Sequence, residues 1–172
     1  MGILICGLNG TGKSTAGKIL AERLGYAFID NEELYFPKND PSYEFSKPRS
    51  KAEVIELLDK KIHDNNNFVF AAVKGDYGDK LIEALDTVVL IELPRGERLE
   101  RVKNRSFQKF GNRMLQGGDL YEKEGNWLSY VASRPEDLVE EWVLSVKCPV
   151  IRVDGRKQVN DTVDYLLSVL RG

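Results

Sequence analysis

Gly7-Leu8-Asn9-Gly10-Thr11-Gly12-Lys13-Ser14 sets three glycines, a lysine and a hydroxyl in the spacing G-x-x-x-x-G-K-S, and each residue type there answers one need of a polyphosphate. Gly7, Gly10 and Gly12 let the backbone curl so that successive N–H groups face inward, where Asn9, Thr11 and Thr15 are placed to help. A helix starting at this point would aim its positive end into the same space. Lys13 supplies a point charge for β- and γ-phosphates, and the Ser14 hydroxyl suits a magnesium ion bridging their oxygens. Thr15 also has a plainer reading as an ordinary helical threonine.

Further residues of this kind cluster at three places. Asp30, with Glu32 two residues on, closes an apolar run; it suits a magnesium-bound water or the proton of an acceptor hydroxyl, and equally suits capping of a following helix. Val73-Lys74-Gly75-Asp76 ends another apolar run, with Lys74 as a phosphate ligand or as charged decoration of a turn. Arg101, Arg105, Lys109 and Arg113 form a basic series, bounded by Gly111, Gly117 and Gly118, that suggests a hinged cover over residues 105–118. Glu97, Arg98 and Glu100 allow the opposite reading, a solvated helix face with an i,i+4 pair. Arg49 and Arg134 are the remaining candidate anion ligands.

The elements that must position these residues follow from periodicity. Apolar runs at about 2–6, 26–29, 68–73, 87–93 and 150–153 read as strands, and helical stretches lie between them. That alternation predicts an α/β domain with a parallel sheet. The glycine-rich turn falls between the first strand and a helix over about 12–24, the context that makes it a P-loop. Gly25 stops that helix, Ser50 and Glu53 read as a capping box for the next, and Asp119-Leu120-Tyr121-Glu122 reads as another N-terminus. Trp127 and Trp142 fall at helical spacing with Leu128, Val131 and Leu138, which assigns them to packing. Residues 34–50 break the alternation with a mixture of aromatic, proline and basic residues, as a functional loop does.

Composition narrows the class. With 25 basic and 27 acidic residues the net charge is −2, so nothing general draws the chain to nucleic acid or an acidic membrane. No apolar run approaches the roughly 20 residues of a membrane span, and Met1 leads into Ile3-Leu4-Ile5-Cys6 without a basic leader, so a cytoplasmic protein is expected. One histidine and two distant cysteines exclude a structural zinc site.

With its P-loop in the first residues of a short chain, the sequence resembles the small P-loop kinases of the nucleoside-monophosphate-kinase and shikimate-kinase type. The resemblance implies a five-stranded parallel sheet in the order 2-3-1-4-5, one kinase domain over 1–172, an acceptor-binding segment within 34–66 and a lid at 105–118. It implies ATP and Mg²⁺ as cofactors, with Ser14 and Asp30 toward the metal. Arg101 and Arg105 resemble the arginine pair at the mouth of the lid, Asp154 and Gly155 the segment that lies against adenine, and Asp30-x-Glu32 the Asp-x-Asp of shikimate-type kinases. Lys13, Asp30, Arg101, Arg105 and Arg113 are then the catalytic candidates; Asp30, Glu32, Arg49, Lys74, Gly75, Asp76 and Arg134 are the candidates for the acceptor. The Gly-aromatic-Pro-Arg of nucleotide kinases is missing. The basic loops favour a nucleoside monophosphate as acceptor, for which Asp30 needs no role as a base. The alternatives are a hydroxyl-bearing metabolite or antibiotic, and a partner-regulated nucleotide switch with no small acceptor.

Overall fold

Gly2–Cys6 forms β1, the middle strand of the sheet. Ile3, Leu4, Ile5 and Cys6 are all fully buried, which explains why the run is continuously apolar: a parallel strand covered on both faces has no solvent side to alternate with. The computed structural model describes residues 1–171. After the glycine-rich turn come α1 (Lys13–Leu24), β2 (Ala27–Asp30), α2 (Asn31–Tyr35), α3 (Lys51–Asp64), β3 (Phe68–Ala71), α4 (Asp79–Ala84) and β4 (Thr87–Glu92). The second half runs α5 (Arg95–Phe110), a 3-10 turn (Gly111–Met114), α6 (Tyr121–Ser133), α7 (Leu138–Val143), β5 (Val150–Asp154) and α8 (Val159–Leu170).

The sheet order is β2-β3-β1-β4-β5 and every pairing is parallel, as the family resemblance implies. Ile3 pairs with Val69 and Thr87, so Ile3 and Ile5 share a face with Val69 and Val89, packed on Leu20 of α1 and Val163 and Leu166 of α8. Leu4 and Cys6 point the other way, against Val54 and Leu58 of α3, Leu81 of α4 and Val139 and Val143 of α7. The two apolar cores thus form one on each side of a single sheet.

Local signals act where the sequence places them. Gly25 takes the left-handed conformation at φ 70° and stops α1, and Ser50 and Glu53 form the reciprocal capping box of α3. Two expectations are corrected. Asp119 does not cap α6: helix entry is at Leu120 without a side-chain cap, and Asp119 accepts from the Arg113 guanidinium at 2.7 and 3.0 Å instead. Residues 105–118 are a loop only at their end, since Arg105 and Lys109 continue α5 and Arg113 lies in the 3-10 turn, with irregular turns over 115–118.

Segment 34–50 and the α5–α6 arm meet along one seam. The Tyr43 hydroxyl donates to Glu124 Oε1 at 2.6 Å, Arg113 donates to the Ser42 carbonyl at 2.8 Å, and Lys109 pairs with Glu44. Glu124 is only 1% exposed, and burial plus that carboxylate push the Tyr43 phenol well above its ordinary value, so Tyr43 stays a donor across the working pH range. Tyr43→Phe leaves a buried carboxylate without this donor and should cost about 1–3 kcal/mol, read as a fall in Tm of roughly 2–12 °C.

Candidate active site

Where strand β1 ends, Gly10 and Gly12 adopt φ 89° and 93°, values that suit glycine alone among common residues. A Cβ on Gly10 would stand 2.4 Å from the Arg98 carbonyl, so α5 closes onto the turn only because Gly10 has none. Gly7 donates to the Val73 carbonyl at 3.1 Å, and the Thr11 hydroxyl donates to the Leu8 carbonyl at 3.0 Å, fixing the turn from inside. Arg98 fixes it from outside. Its guanidinium donates to the Leu93 and Asn9 carbonyls and grips Glu136 with Nη2 at 2.6 and 2.7 Å. The solvated-face reading of this part of α5 is therefore wrong for Arg98, which is 3% exposed. Arg98→Leu should cost about 2–4 kcal/mol by orphaning these acceptors and loosening the turn, measurable as a lowered urea midpoint.

Three cavities meet over the turn. One of about 310 Å³ is bounded by Gly12, Thr15, Arg101, Gly155 and Val159. A second of about 280 Å³ lies over Gly10, Gly12, Lys13, Ser14 and Thr15, with Arg101 and Arg105 above. The third, about 430 Å³, opens from Asn9, Lys13, Ser14 and Arg105 toward Asp30, Glu32, Lys74, Asp76, Tyr77 and Arg134. Shared walls make them one trough, with the cradle in the middle and Arg105 at the junction. The left-handed glycines, the helix of 12 residues starting at Lys13 and the hydroxyl of Ser14 fit a nucleotide triphosphate with its magnesium. Among the described residues no three His, Cys, Asp or Glu side chains gather into a metal cluster. Ser14 would hold the metal with the nucleotide's own oxygens, and Asp30 borders the same space.

Lys13 is the most perturbed group in the trough. Burial, then the positive charges of Arg105 and Arg134, pull its ammonium down from 10.5 to about 8, against the opposing pull of Asp30 and Glu32. A bound polyphosphate would reverse this and raise it. Nucleotide binding at pH 8 should therefore take up about half a proton, which calorimetry in buffers of different ionisation enthalpy measures directly.

The other candidates divide by geometry. Arg101 donates to the Gly155 carbonyl at 3.1 Å, which holds it at the mouth of the nucleotide side. Arg134 donates through Nη2 to the Tyr130 hydroxyl at 2.6 Å and stacks on that ring at 4.9 Å, while its buried Nε and Nη1 have no partner. Asp30 caps α2 by accepting the Glu32 N–H at Oδ1, 2.9 Å away, and still faces the cavity. The capping reading of Asp30 thus holds, and its place in the cavity wall leaves the other reading open to experiment. Lys74 lines the cavity but sits 3.5 Å from Asp76, whose same oxygen also meets Lys51 at 2.9 Å.

Four candidates fall outside the trough walls. Arg49 turns away and donates to the Leu34 carbonyl at 2.8 Å, bracing the end of α2. Arg113 joins the seam between the arm and segment 34–50 through Asp119 and Ser42. Asp154 chelates Arg156 and borders an adjoining cavity of about 770 Å³ at the ends of β4 and β5, which shares Thr11, Ile91 and Arg156 with the first cavity of the trough. Gly75 is buried where a Cβ would strike Trp142 at 2.5 Å, so its role is packing. Conversely, Tyr35, Phe36, Tyr77, Trp127 and Tyr130 line the acceptor cavity; the aromatic richness of 34–50 pointed to Phe36, whereas helical periodicity alone assigned Trp127 to packing.

The chain is 32% identical to the uncharacterized protein YqaC of Bacillus subtilis (strain 168) over 98% of its length and 96% of the relative's. It is 28% identical over 130 residues, 66% of this chain and 65% of the other, to a Dictyostelium discoideum protein named probable gluconokinase. A Pyrococcus abyssi (strain GE5 / Orsay) protein provisionally named an adenylate kinase is 27% identical over 98% of this chain and 97% of its own. Among solved structures, shikimate kinase from Aquifex aeolicus vf5 superposes with a TM-score of 0.54 at 20% identity, covering 100% of this chain and 97% of that one, which is a likeness of fold. The sequence model of the AAA domain family matches residues 3–113, from β1 through the cradle to the 3-10 turn; with the parallel sheet and the P-loop in place, the chain belongs to that family, as a small P-loop NTPase of kinase-like architecture.

Proposed function

We propose that this protein is an ATP- and magnesium-dependent kinase of a small molecule, and that the accepting group is a hydroxyl. The observation that carries the reading is the acceptor cavity itself: Asp30 faces the same space as Lys13, Arg105 and Arg134 at the end of β2, where ligands of open α/β sheets bind. The nucleoside-monophosphate reading loses its footing in the same geometry. Arg49 is spent on a backbone carbonyl and Lys74 on Asp76, so two of the cations expected to hold an acceptor phosphate are already engaged. The name of the Dictyostelium relative points to a hydroxyl acceptor, and that of the Pyrococcus relative to a nucleotide.

ATP would supply the phosphoryl group, held by the cradle, Lys13 and the Ser14-bound metal. The chain's own residues do the rest. Asp30 Oδ1 is fixed by the Glu32 N–H, leaving Oδ2 to accept the hydroxyl proton. Arg105, at the junction of the cavities, meets charge as it moves from donor to acceptor. Arg134 lines the same cavity and adds a second guanidinium beside that charge. Arg105→Ala should lower kcat about 30- to 100-fold with little change in nucleotide affinity. Equal losses in both would make Arg105 a ground-state ligand. The deciding experiment is ATP turnover against a panel of hydroxyl compounds and nucleoside monophosphates; turnover of the monophosphates alone would refute the reading.

A further inference from the structure

Beside the acceptor cavity lies a second hollow of about 280 Å³, walled by Phe36, Tyr43, Phe45, Phe110 and Trp127, with Pro48 at its edge. It shares Glu32, Phe36, Arg105 and Trp127 with the acceptor cavity, so one molecule can reach from one to the other. Resting on the hydroxyl-acceptor reading, we infer that the acceptor carries a planar aromatic ring system, seated in this hollow while its hydroxyl reaches Asp30.

Three features argue for a ring rather than a further length of polyol. The wall is aromatic, and its rings are already held edge to face: Phe45 stands 5.1 Å from Phe36, 5.7 Å from Tyr43 and 6.1 Å from Phe110, at 76–84°. A flat ring entering such a box finds both faces and edges at the geometry aromatic pairs prefer, while Glu32, Arg105, Ser106 and Lys109 in the same lining can meet the polar atoms such a ring compound carries. The size also fits, because a cavity of about 150 Å³ accommodates benzene and this one, at about 280 Å³, has room for one or two fused rings. Finally, the box is built to be rigid. Tyr43 is pinned by buried Glu124, and Lys109, paired with Glu44, lies 4.6 Å over the Phe45 ring. An empty aromatic hollow forfeits dispersion contacts on its inner side, which an aromatic guest restores.

Two sources share this chemistry: nucleosides, with a heterocyclic base and sugar hydroxyls, and aryl compounds such as aryl glycosides or aromatic antibiotics. Gluconate and shikimate serve as acceptors without an aromatic ring. Calorimetry with an unhydrolysable ATP analogue and magnesium, followed by kinetics, should show binding and phosphorylation of at least one aromatic compound in preference to both non-aromatic ones. Phe45→Leu keeps the position apolar but removes the ring; KM for that compound should rise about tenfold or more, with kcat changed less than threefold and nucleotide affinity unchanged. Phe110→Leu provides the same readout from the opposite wall should Phe45→Leu fold poorly. Preference for gluconate or shikimate, or a KM indifferent to both substitutions, would overturn the ring seat and leave the hydroxyl kinase standing. Phosphorylation of nucleoside monophosphates alone, with KM raised by both substitutions, would overturn the hydroxyl reading and keep the seat.

Discussion

Lys13→Ala is expected to lower ATP turnover by about 10³-fold or more, because it deletes the one side-chain cation seated inside the cradle, where charge is shielded from water. The same change should not harm folding. Lys13 is a cost to the folded state: its ammonium, held near pH 8 in the trough against 10.5 when free, is disfavoured by burial. Between those two values the unfolded chain binds the proton more tightly, so stability rises as pH rises from about 8 to 10.5. Below pH 8 the penalty is fully present. Lys13→Ala should therefore match or exceed wild-type Tm at pH 7 and lose the rise in Tm between pH 8 and 10. A variant that is inactive because it unfolds would show the reverse, and wild-type turnover would remove Lys13 from the chemistry.

Asp30→Asn is the second large effect and the one that separates acceptors. A hydroxyl must lose its proton during transfer, and a positioned carboxylate contributes about 10²–10⁴-fold; the amide cannot accept that proton although its oxygen can still cap α2. The expected result is a kcat several hundredfold lower with Tm nearly unchanged. The acidic limb of the pH–rate profile, which reports protonation of the base, should vanish. A severalfold loss with the limb intact would reduce Asp30 to positioning water or metal, as an acceptor phosphate would require. Asp30→Ala gives the control for structure, since removing the cap should cost about 1 kcal/mol.

The P-loop was legible because its chemistry is local: glycines at φ values only glycine favours, a lysine and a serine, between a strand and a helix that periodicity marks on either side. The strands could be read because a parallel sheet buried on both faces leaves unbroken apolar runs, and β1, β3 and β4 have them. What the chain alone could not say is where long side chains end up. Arg98, Arg101 and Arg105 share one helix and one composition, yet the fold buries Arg98 against the cradle, holds Arg101 on the Gly155 carbonyl and leaves Arg105 over the cavities. Arg49 and Arg113, equally basic, are consumed by a carbonyl and by a seam. Trp127 has the spacing of a packing residue and lines the cavity that holds Asp30, while Gly75 has the position of a ligand and packs on Trp142. Spacing along a chain determines which face of an element a residue occupies. Only tertiary packing decides what that face meets, because the deciding partners include a carbonyl 15 residues from Arg49 and one 89 residues from Arg98, brought within hydrogen-bond range by the fold.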